Sequence, residues 1–416
     1  MPRVRSLMPV LPRAAWVVLA GDAVSALGSG LTLPFLLVYL HQARGLELGP
    51  ASLAVATVAI AGLAGNPLGG ALSDRVGARA ALAAGLVTAA AGSLALAAVS
   101  SPLQAFAACA LLGVGAAVAW PALDALLAGL VTPEQRASAF ALRHATLNVG
   151  LGVGALVAAL VVAGASPEAL ARLYVVDAVS FAAFAVVLLA HRRLPRSHRA
   201  GRVARAPGGY RVILGDRVFV RVWALTALLV SAGVAQYAAA FPAYATEVVG
   251  LDAGWLSLAL AANTVTVVGA QLFTLRLLAG RRRTSALVLV AALWAAGWGV
   301  ALAAGALMTG SAVPAALLTV TMVLLAAGET ALAPTVPALV NELAPDALRG
   351  RYNGALALAF TTGFIAGPLL AGAAIASGLG AALPGALAAT CGLAALAARR
   401  LRRHLPPALD AIPMAR

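Results

Sequence analysis

The chain has 416 residues, 62% of them hydrophobic and 10% charged, with a mean hydropathy of +0.95 and a formal net charge of +15. A soluble chain of this size is about a quarter charged and divides into water-facing domains; this composition has too few polar residues to cover them. Its apolar runs are continuous over about 20 residues, the length of a bilayer-crossing helix, which also excludes a porin-type barrel with alternating strands.

Arg3, Arg5 and Arg13 precede a first apolar stretch near 14–40. It is too long for the apolar core of a cleaved signal, so it reads as an uncleaved first helix. Further windows follow near 51–72, 80–100, 103–127, 143–163 and 170–190, then near 222–245, 254–278, 285–307, 313–340, 353–377 and 384–398. The long polar connection between the sixth and seventh, rich in Arg, Pro and Gly, reads as a linker, with a short amphipathic piece around Tyr210–Phe219. The expected architecture is an all-α polytopic membrane protein of twelve transmembrane helices in two pseudo-symmetric six-helix bundles. The first bundle covers 1–190, a basic linker 191–221, the second bundle 222–400 and a tail 401–416.

All 29 basic residues are arginine and about a quarter of the chain is alanine, which reads as the codon bias of a GC-rich bacterial genome. With the N-terminus in the cytoplasm, 27 of the 29 arginines fall on the inner side and only Arg44 and Arg172 outside. The positive-inside rule then places both termini in the cytoplasm of a multi-pass protein of the bacterial inner membrane. The charge is therefore a topology signal and a contact for anionic lipid, and nucleic acid is excluded as a partner. Cys109 and Cys391 lie inside apolar runs at no spacing that suggests a disulfide framework or a metal site.

The two halves repeat. A shift of 213 residues superimposes Gly115 on Gly328, Pro121 on Pro334, Leu126 on Leu339, Arg136 on Arg349, Gly150 on Gly363 and Gly154 on Gly367. A shift of 208 places Arg13 on Arg221 and Pro34 on Pro242. Parallel repeats of this kind are the layout of alternating-access transporters, and the four glycines of the last two pairs suit close helix packing.

Between spans two and three the chain reads Gly70-Ala71-Leu72-Ser73-Asp74-Arg75-Val76-Gly77-Ala78-Arg79. Gly70 allows a close helix approach, Gly77 a tight turn, and Asp74 with Arg75 and Arg79 forms a charge cluster at the helix ends. The stretch resembles the loop signature of the major facilitator superfamily, G-x-L-x-D-R-x-G-R-R/K, with Ala78 out of pattern. Gly328-Glu329-Thr330-Ala331-Leu332-Ala333-Pro334, Ala344-Pro345 and Arg349-Gly350-Arg351-Tyr352-Asn353-Gly354 resemble spans ten and eleven of its twelve-span drug/proton antiporter branch. Asp216-Arg217-Val218-Phe219 resembles its lead into span seven.

The resemblance implies that Asp74 latches the two halves through the start of helix eleven and an acidic residue at the inner end of helix four. Asp124 is the candidate for that acid, with an ion pair to Arg143 or Arg136 as the alternative. Two features depart from the branch. The helix-four arginine is replaced by Cys109, and the antiporter signature of helix five lacks its proline and paired glycine over Gly150–Ala159. A better copy of that signature, with Pro368, runs from Gly363 to Gly372.

An ionisable residue at bilayer depth costs at least about 2.5–3.5 kcal/mol, so each needs a reason. Asp22 and Glu329 are the two deepest carboxylates, and the resemblance places them on cavity-lining helices one and ten. Asp22, Ser25, Ser29 and Thr32 recur at helical spacing, one polar stripe that faces water or protein rather than lipid. A carboxyl removed from water favours its neutral form, which suits Glu329 and Asp22 as sites that alternate between proton and substrate. Trp120, Gln236, Tyr237 and Asn263 are further candidates for lining the cavity, and Asp177 for a packing hydrogen bond.

The function these features favour is proton-coupled efflux of small amphipathic or cationic organic compounds by alternating access. The alternatives are a dedicated metabolite exporter or proton symporter of the same fold and, in another class, a non-transporting membrane sensor or scaffold. The expected partners are a small-molecule substrate, protons and lipid, with the chain a monomer. No cofactor, metal or enzymatic activity is expected, because the chain has no phosphate-binding loop, no metal-ligand cluster and no nucleophile with a base.

Overall fold

Lipid offers no partner to a free backbone N–H or C=O, so each apolar run closes its own hydrogen bonds as a helix. A computed structural model describes residues 9–162, 167–191, 209–236, 240–251, 253–307 and 312–413, and among these twelve helices are long and apolar enough to cross a membrane. The first six are α1 (Arg13–Thr32), α2 (Leu48–Val76), α3 (Ala78–Ala97), α4 (Pro102–Leu130), α5 (Pro133–Val162) and α6 (Pro167–Ala190). The second six are α7 (Arg217–Ala232), α8 (Ala253–Leu278), α9 (Arg283–Gly305), α10 (Ala312–Leu343), α11 (Arg349–Ala376) and α12 (Leu383–Leu401). Arg3, Arg5 and residues 192–208 of the expected linker lie outside the described residues.

Two helices differ most from the sequence windows: α7 ends at Ala232 rather than near 245, and α5 begins at Pro133 rather than near 143. Proline is well suited to the first helical position and Glu134 to the positive end of the helix dipole. Arg136 and Arg143, counted among the inner-side arginines at the start of the fifth span, are therefore both helical and buried.

The repeat is visible in matching irregularities. α1 loosens at Pro34 into a tight turn and ends in a wide turn, Tyr39–Ala43; α7 stops at Gly233, and a wide turn, Tyr244–Val248, follows. Each wide turn begins with a buried tyrosine that ties it to the next helix but one. Tyr39 donates to the Leu96 carbonyl at 2.8 Å, and Tyr244 to the Ala301 carbonyl at 3.0 Å. The glycine pairs also match. A Cβ on Gly150 would stand 2.8 Å from the Ala23 carbonyl oxygen, so α5 lies directly on α1. A Cβ on Gly367 would stand 2.9 Å from the Ser231 carbonyl oxygen, so α11 lies on α7. Gly154 meets Leu27 and Gly30, and Gly363 meets Val230, in the same two crossings.

Among the described residues the main apolar cores are two, one drawn from residues between Val18 and Leu188, the other from residues between Ile213 and Ile412. In the second, Trp294 and Trp298 are fully buried and donate to the Leu325 and Ala232 carbonyls, both at 2.7 Å. A smaller cluster joins α1, α4 and α5 to Ala338 of α10. On the outside, Val87 of α3, Val186 of α6, Leu302 of α9 and Leu393 of α12 are exposed, an apolar surface suited to lipid.

Candidate functional site

Two sets of polar side chains are brought together inside the bundle, one at its centre and one at the end where α2 turns into α3. The central set is built on Arg143, the eleventh of the thirty residues of α5 and buried. Its Nε lies 3.1 Å from Asp22 Oδ2 of α1, and its Nη1 binds Asp124 Oδ1 of α4. The guanidinium also stands over the Trp120 ring, 4.8 Å from its centroid, a cation–π contact to a residue that is itself 42% exposed. Two carboxylates around one guanidinium leave this triad one negative charge in excess when both are ionised.

The next residue of α5 faces the other half. His144 Nε2 lies 3.1 Å from Glu329 Oε1 of α10. The same nitrogen is 3.2 Å from Asn148 Nδ2, which also donates to the His144 carbonyl at 3.0 Å. Glu329 is buried, and its Oε2 has no hydrogen-bond partner among the described residues. A buried polar atom without a partner is costly and marks a place where a proton, an ion or a ligand group fits.

At the bundle end, Asp74 caps α11. Its Oδ1 accepts from the Gly350 N–H at 2.6 Å, and its Oδ2 from the Arg351 N–H at 3.1 Å and Arg351 Nη1 at 3.2 Å. A carboxylate at a helix N-terminus meets both unpaired N–H groups and the positive end of the dipole. The approach requires glycine: a Cβ on Gly70 would lie 2.5 Å from the Gly350 carbonyl oxygen, and one on Gly354 2.6 Å from that of Asn66. One turn of helix further in, Asn66 donates to Thr361 at 2.7 Å. Tyr210, on the short helix Tyr210–Gly215 before α7, donates to the Pro67 carbonyl beside the crossing, and burial raises its phenol pKa. Gly77 takes φ +92° between α2 and α3, a conformation side-chain-bearing residues avoid. Arg79 turns to the end of α6, donating to the Leu188 and Leu189 carbonyls at 2.8 Å, while Arg75 is exposed. Beside this latch, Arg136 of α5 donates to the Asn341 carbonyl of α10 at 3.1 Å.

Several expected placements are corrected. Asp124 sits six residues before the end of α4 and pairs with Arg143, the alternative that the sequence left open, while Asp74 meets the start of α11. Thr32 and Asp22 have different partners. At about 100° per residue Thr32 falls about 80° short of three full turns from Asp22, at the edge of the stripe, and donates to Asp177 of α6 at 3.2 Å, whereas Asp22 pairs with Arg143. Ser93 of α3 donates to the same carboxylate at 2.8 Å, so Asp177 packs α1, α3 and α6 together. Ser25 is buried with no partner for its hydroxyl among the described residues, and Ser29 is half-buried. Gln236 is buried against Gly367 and donates to the Ser231 carbonyl, closing the break after α7 rather than lining a cavity. Asn263 donates to the Met322 carbonyl at 3.4 Å, between α8 and α10. Tyr237 lies outside the described residues. Among the described residues no group of three His, Cys, Asp or Glu side chains converges to hold a metal.

His144 was not legible as a site residue, because the Arg143–His144 pair adjoined a basic loop in the sequence. The available signal was Pro133-Glu134, a helix start ten residues earlier that carries both side chains into the body of α5.

A family model described as Major Facilitator Superfamily matches residues 18–316. The uncharacterised MFS-type transporter YttB of Bacillus subtilis (strain 168) is 24% identical over 378 residues, which is 87% of this chain and 88% of that protein. Among solved structures, the transporter FucP in its outward conformation superimposes with a TM-score of 0.75 at 15% identity, covering 94% of this chain and 98% of that one. The proton:xylose symporter XylE gives 0.74 at 16% identity, covering 96% and 97%. With its twelve helices, its internal repeat and this family match, the chain belongs to the Major Facilitator Superfamily.

Proposed function

We propose that this transporter exports small amphipathic or cationic organic compounds across the bacterial inner membrane in exchange for protons. The observation that carries this reading is Glu329, a buried carboxyl with one oxygen on His144 of the other half and one without a partner among the described residues. A proton on Glu329 neutralises it; a cationic substrate does the same by pairing with it. Only one of the two is needed at a time, which is the requirement for exchange. With both carboxyls ionised, the Asp22–Arg143–Asp124 triad adds net negative charge to the same region and favours cations over anions. Inward movement of one proton releases about 2.3 kcal/mol per 100 mV of membrane potential, which drives export.

Alternating access needs a gate at each end. The contacts of Asp74 with Gly350 and Arg351, and of Arg136 with Asn341, join the two sets of six helices at the end that carries most arginines. With both termini cytoplasmic by the arginine bias, this arrangement is the outward-facing one, closed toward the cytoplasm. One observation favours a second reading, proton symport of a polar solute. α5 continues without proline through Gly150–Ala159, where the antiporter signature has one, and XylE, of similar fold, is a proton:xylose symporter.

Substrate-induced proton movement in inverted vesicles tests both readings. Under antiport, adding an organic cation to vesicles holding an acid-inside gradient releases protons outward, and Glu329→Gln abolishes the release. Movement of protons with the solute in the same direction establishes symport, and no movement with any solute in a broad panel refutes proton coupling.

A further inference from the structure

At the Asp74 end of the second six helices, Arg282, Arg399, Arg402 and Arg403 line a cleft of about 520 Å³. Its walls are fixed by the chain that follows α12. The Gly280 N–H donates to the Ile412 carbonyl at 2.9 Å, and the Ile412 N–H to the Arg281 carbonyl at 2.8 Å. Asp410, buried, accepts from the Thr284 N–H at 2.8 Å and its hydroxyl at 2.9 Å. Arg283 is fully buried; it donates to the Leu409 carbonyl at 2.8 Å and grips Glu342 with two bonds of 2.7 and 2.6 Å.

These contacts commit the local carboxylates elsewhere: Glu342 to Arg283 and Asp410 to Thr284. The four arginines of the cleft are exposed, and among the described residues no carboxylate forms an ion pair with any of them. Four guanidiniums on one rigid cleft repel one another and present paired N–H donors that match phosphate oxygens. A second observation gives the ligand its other half. On α12, Leu393 is 62% and Leu396 51% exposed, and they lead along the membrane-facing surface to Arg399 and Arg400.

We propose that this cleft is a binding site for an anionic phospholipid, its phosphate held by Arg282, Arg399, Arg402 and Arg403 and its acyl chains laid along Leu393 and Leu396. The site is built in advance by the docked tail, which distinguishes it from arginines that merely border the membrane. It lies apart from the central charges and stands independently of the proton-exchange reading.

The test uses the full-length protein, delipidated in detergent, with the thermal midpoint followed as lipid is added. Cardiolipin and phosphatidylglycerol raise the midpoint saturably, whereas phosphatidylcholine and inorganic phosphate do not. Arg399→Gln/Arg402→Gln/Arg403→Gln weakens the apparent affinity for cardiolipin about a hundredfold, from about fivefold per arginine at a membrane surface. Arg172→Gln, near the start of α6 in the other set of six helices, leaves it unchanged. If the triple variant does not fold, Arg402→Gln and Arg403→Gln are measured singly, each with an expected loss of about fivefold. Equal stabilisation by phosphatidylcholine, saturation by inorganic phosphate alone, or wild-type affinity in the cleft variants overturns the proposal.

Discussion

His144 Nε2 and Glu329 Oε1 lie 3.1 Å apart on α5 and α10, helices from the two different sets of six. A hydrogen bond at this contact needs one proton, on either the imidazole or the carboxyl. The bond is thus a tie between the halves whose strength depends on where that proton sits. Glu329→Gln leaves a side chain that still donates to Nε2 but has no carboxyl to take up and release a proton. Proton-linked transport in vesicles is expected to be lost in this variant. Its thermal stability should change little, because glutamine keeps the size of the side chain and its hydrogen bond to the imidazole. Transport at the wild-type rate would exclude Glu329 as the carrier.

The Asp22–Arg143–Asp124 triad predicts a non-additive mutant series. Arg143→Ala leaves two buried carboxylates without their counter-charge and should cost about 3–5 kcal/mol of stability. Adding Asp22→Asn and Asp124→Asn to that variant should recover most of the loss, although each alone disrupts the triad. Thermal denaturation of the single, double and triple variants measures this coupling.

Asp74→Asn removes the negative charge that caps α11 while preserving size. Hydrogen bonds to a charged acceptor are worth about 1.5–3 kcal/mol each, so the closed arrangement should lose at least about tenfold in population. Ala338 is fully buried and clusters with α4 and α5 at this end. Labelling of Ala338→Cys by a thiol reagent should therefore accelerate about tenfold when Asp74→Asn is added.

Two glycines should respond oppositely to a methyl group. Gly77 has φ +92°, so Gly77→Ala should destabilise by about 1–2 kcal/mol. Gly215 closes the short helix Tyr210–Gly215, has no positive φ and leaves open space within 4 Å of where a Cβ would stand. Gly215→Ala should leave stability unchanged or raise it by about 0.4–1 kcal/mol. Melting curves of the two variants decide the point.

The relation between sequence and structure differs by type of residue. The spans, the internal repeat and the Asp74 signature were legible because each is carried by residues close in the chain: apolar length, glycine and proline spacing, and a turn that only Gly77 fits. Intramembrane carboxylates were legible as exceptional for the same reason, since their cost is set by depth alone. Partners were not legible. Asp124 had two possible counter-ions, and only the packing of α4 against α5 assigns it to Arg143.

The sequence by itself determined a twelve-span membrane protein with a basic end and a few retained internal charges, because hydropathy and charge act residue by residue. Tertiary structure alone decided which charges meet. Thr32 meets Asp177 while Asp22 meets Arg143 because α6 and α5 pack on α1 side by side, and His144 faces Glu329 because α5 starts ten residues earlier than its apolar window and crosses against α10. Electrostatic partnership falls steeply with distance and with access to water, and both are set by helix crossings that no single segment contains.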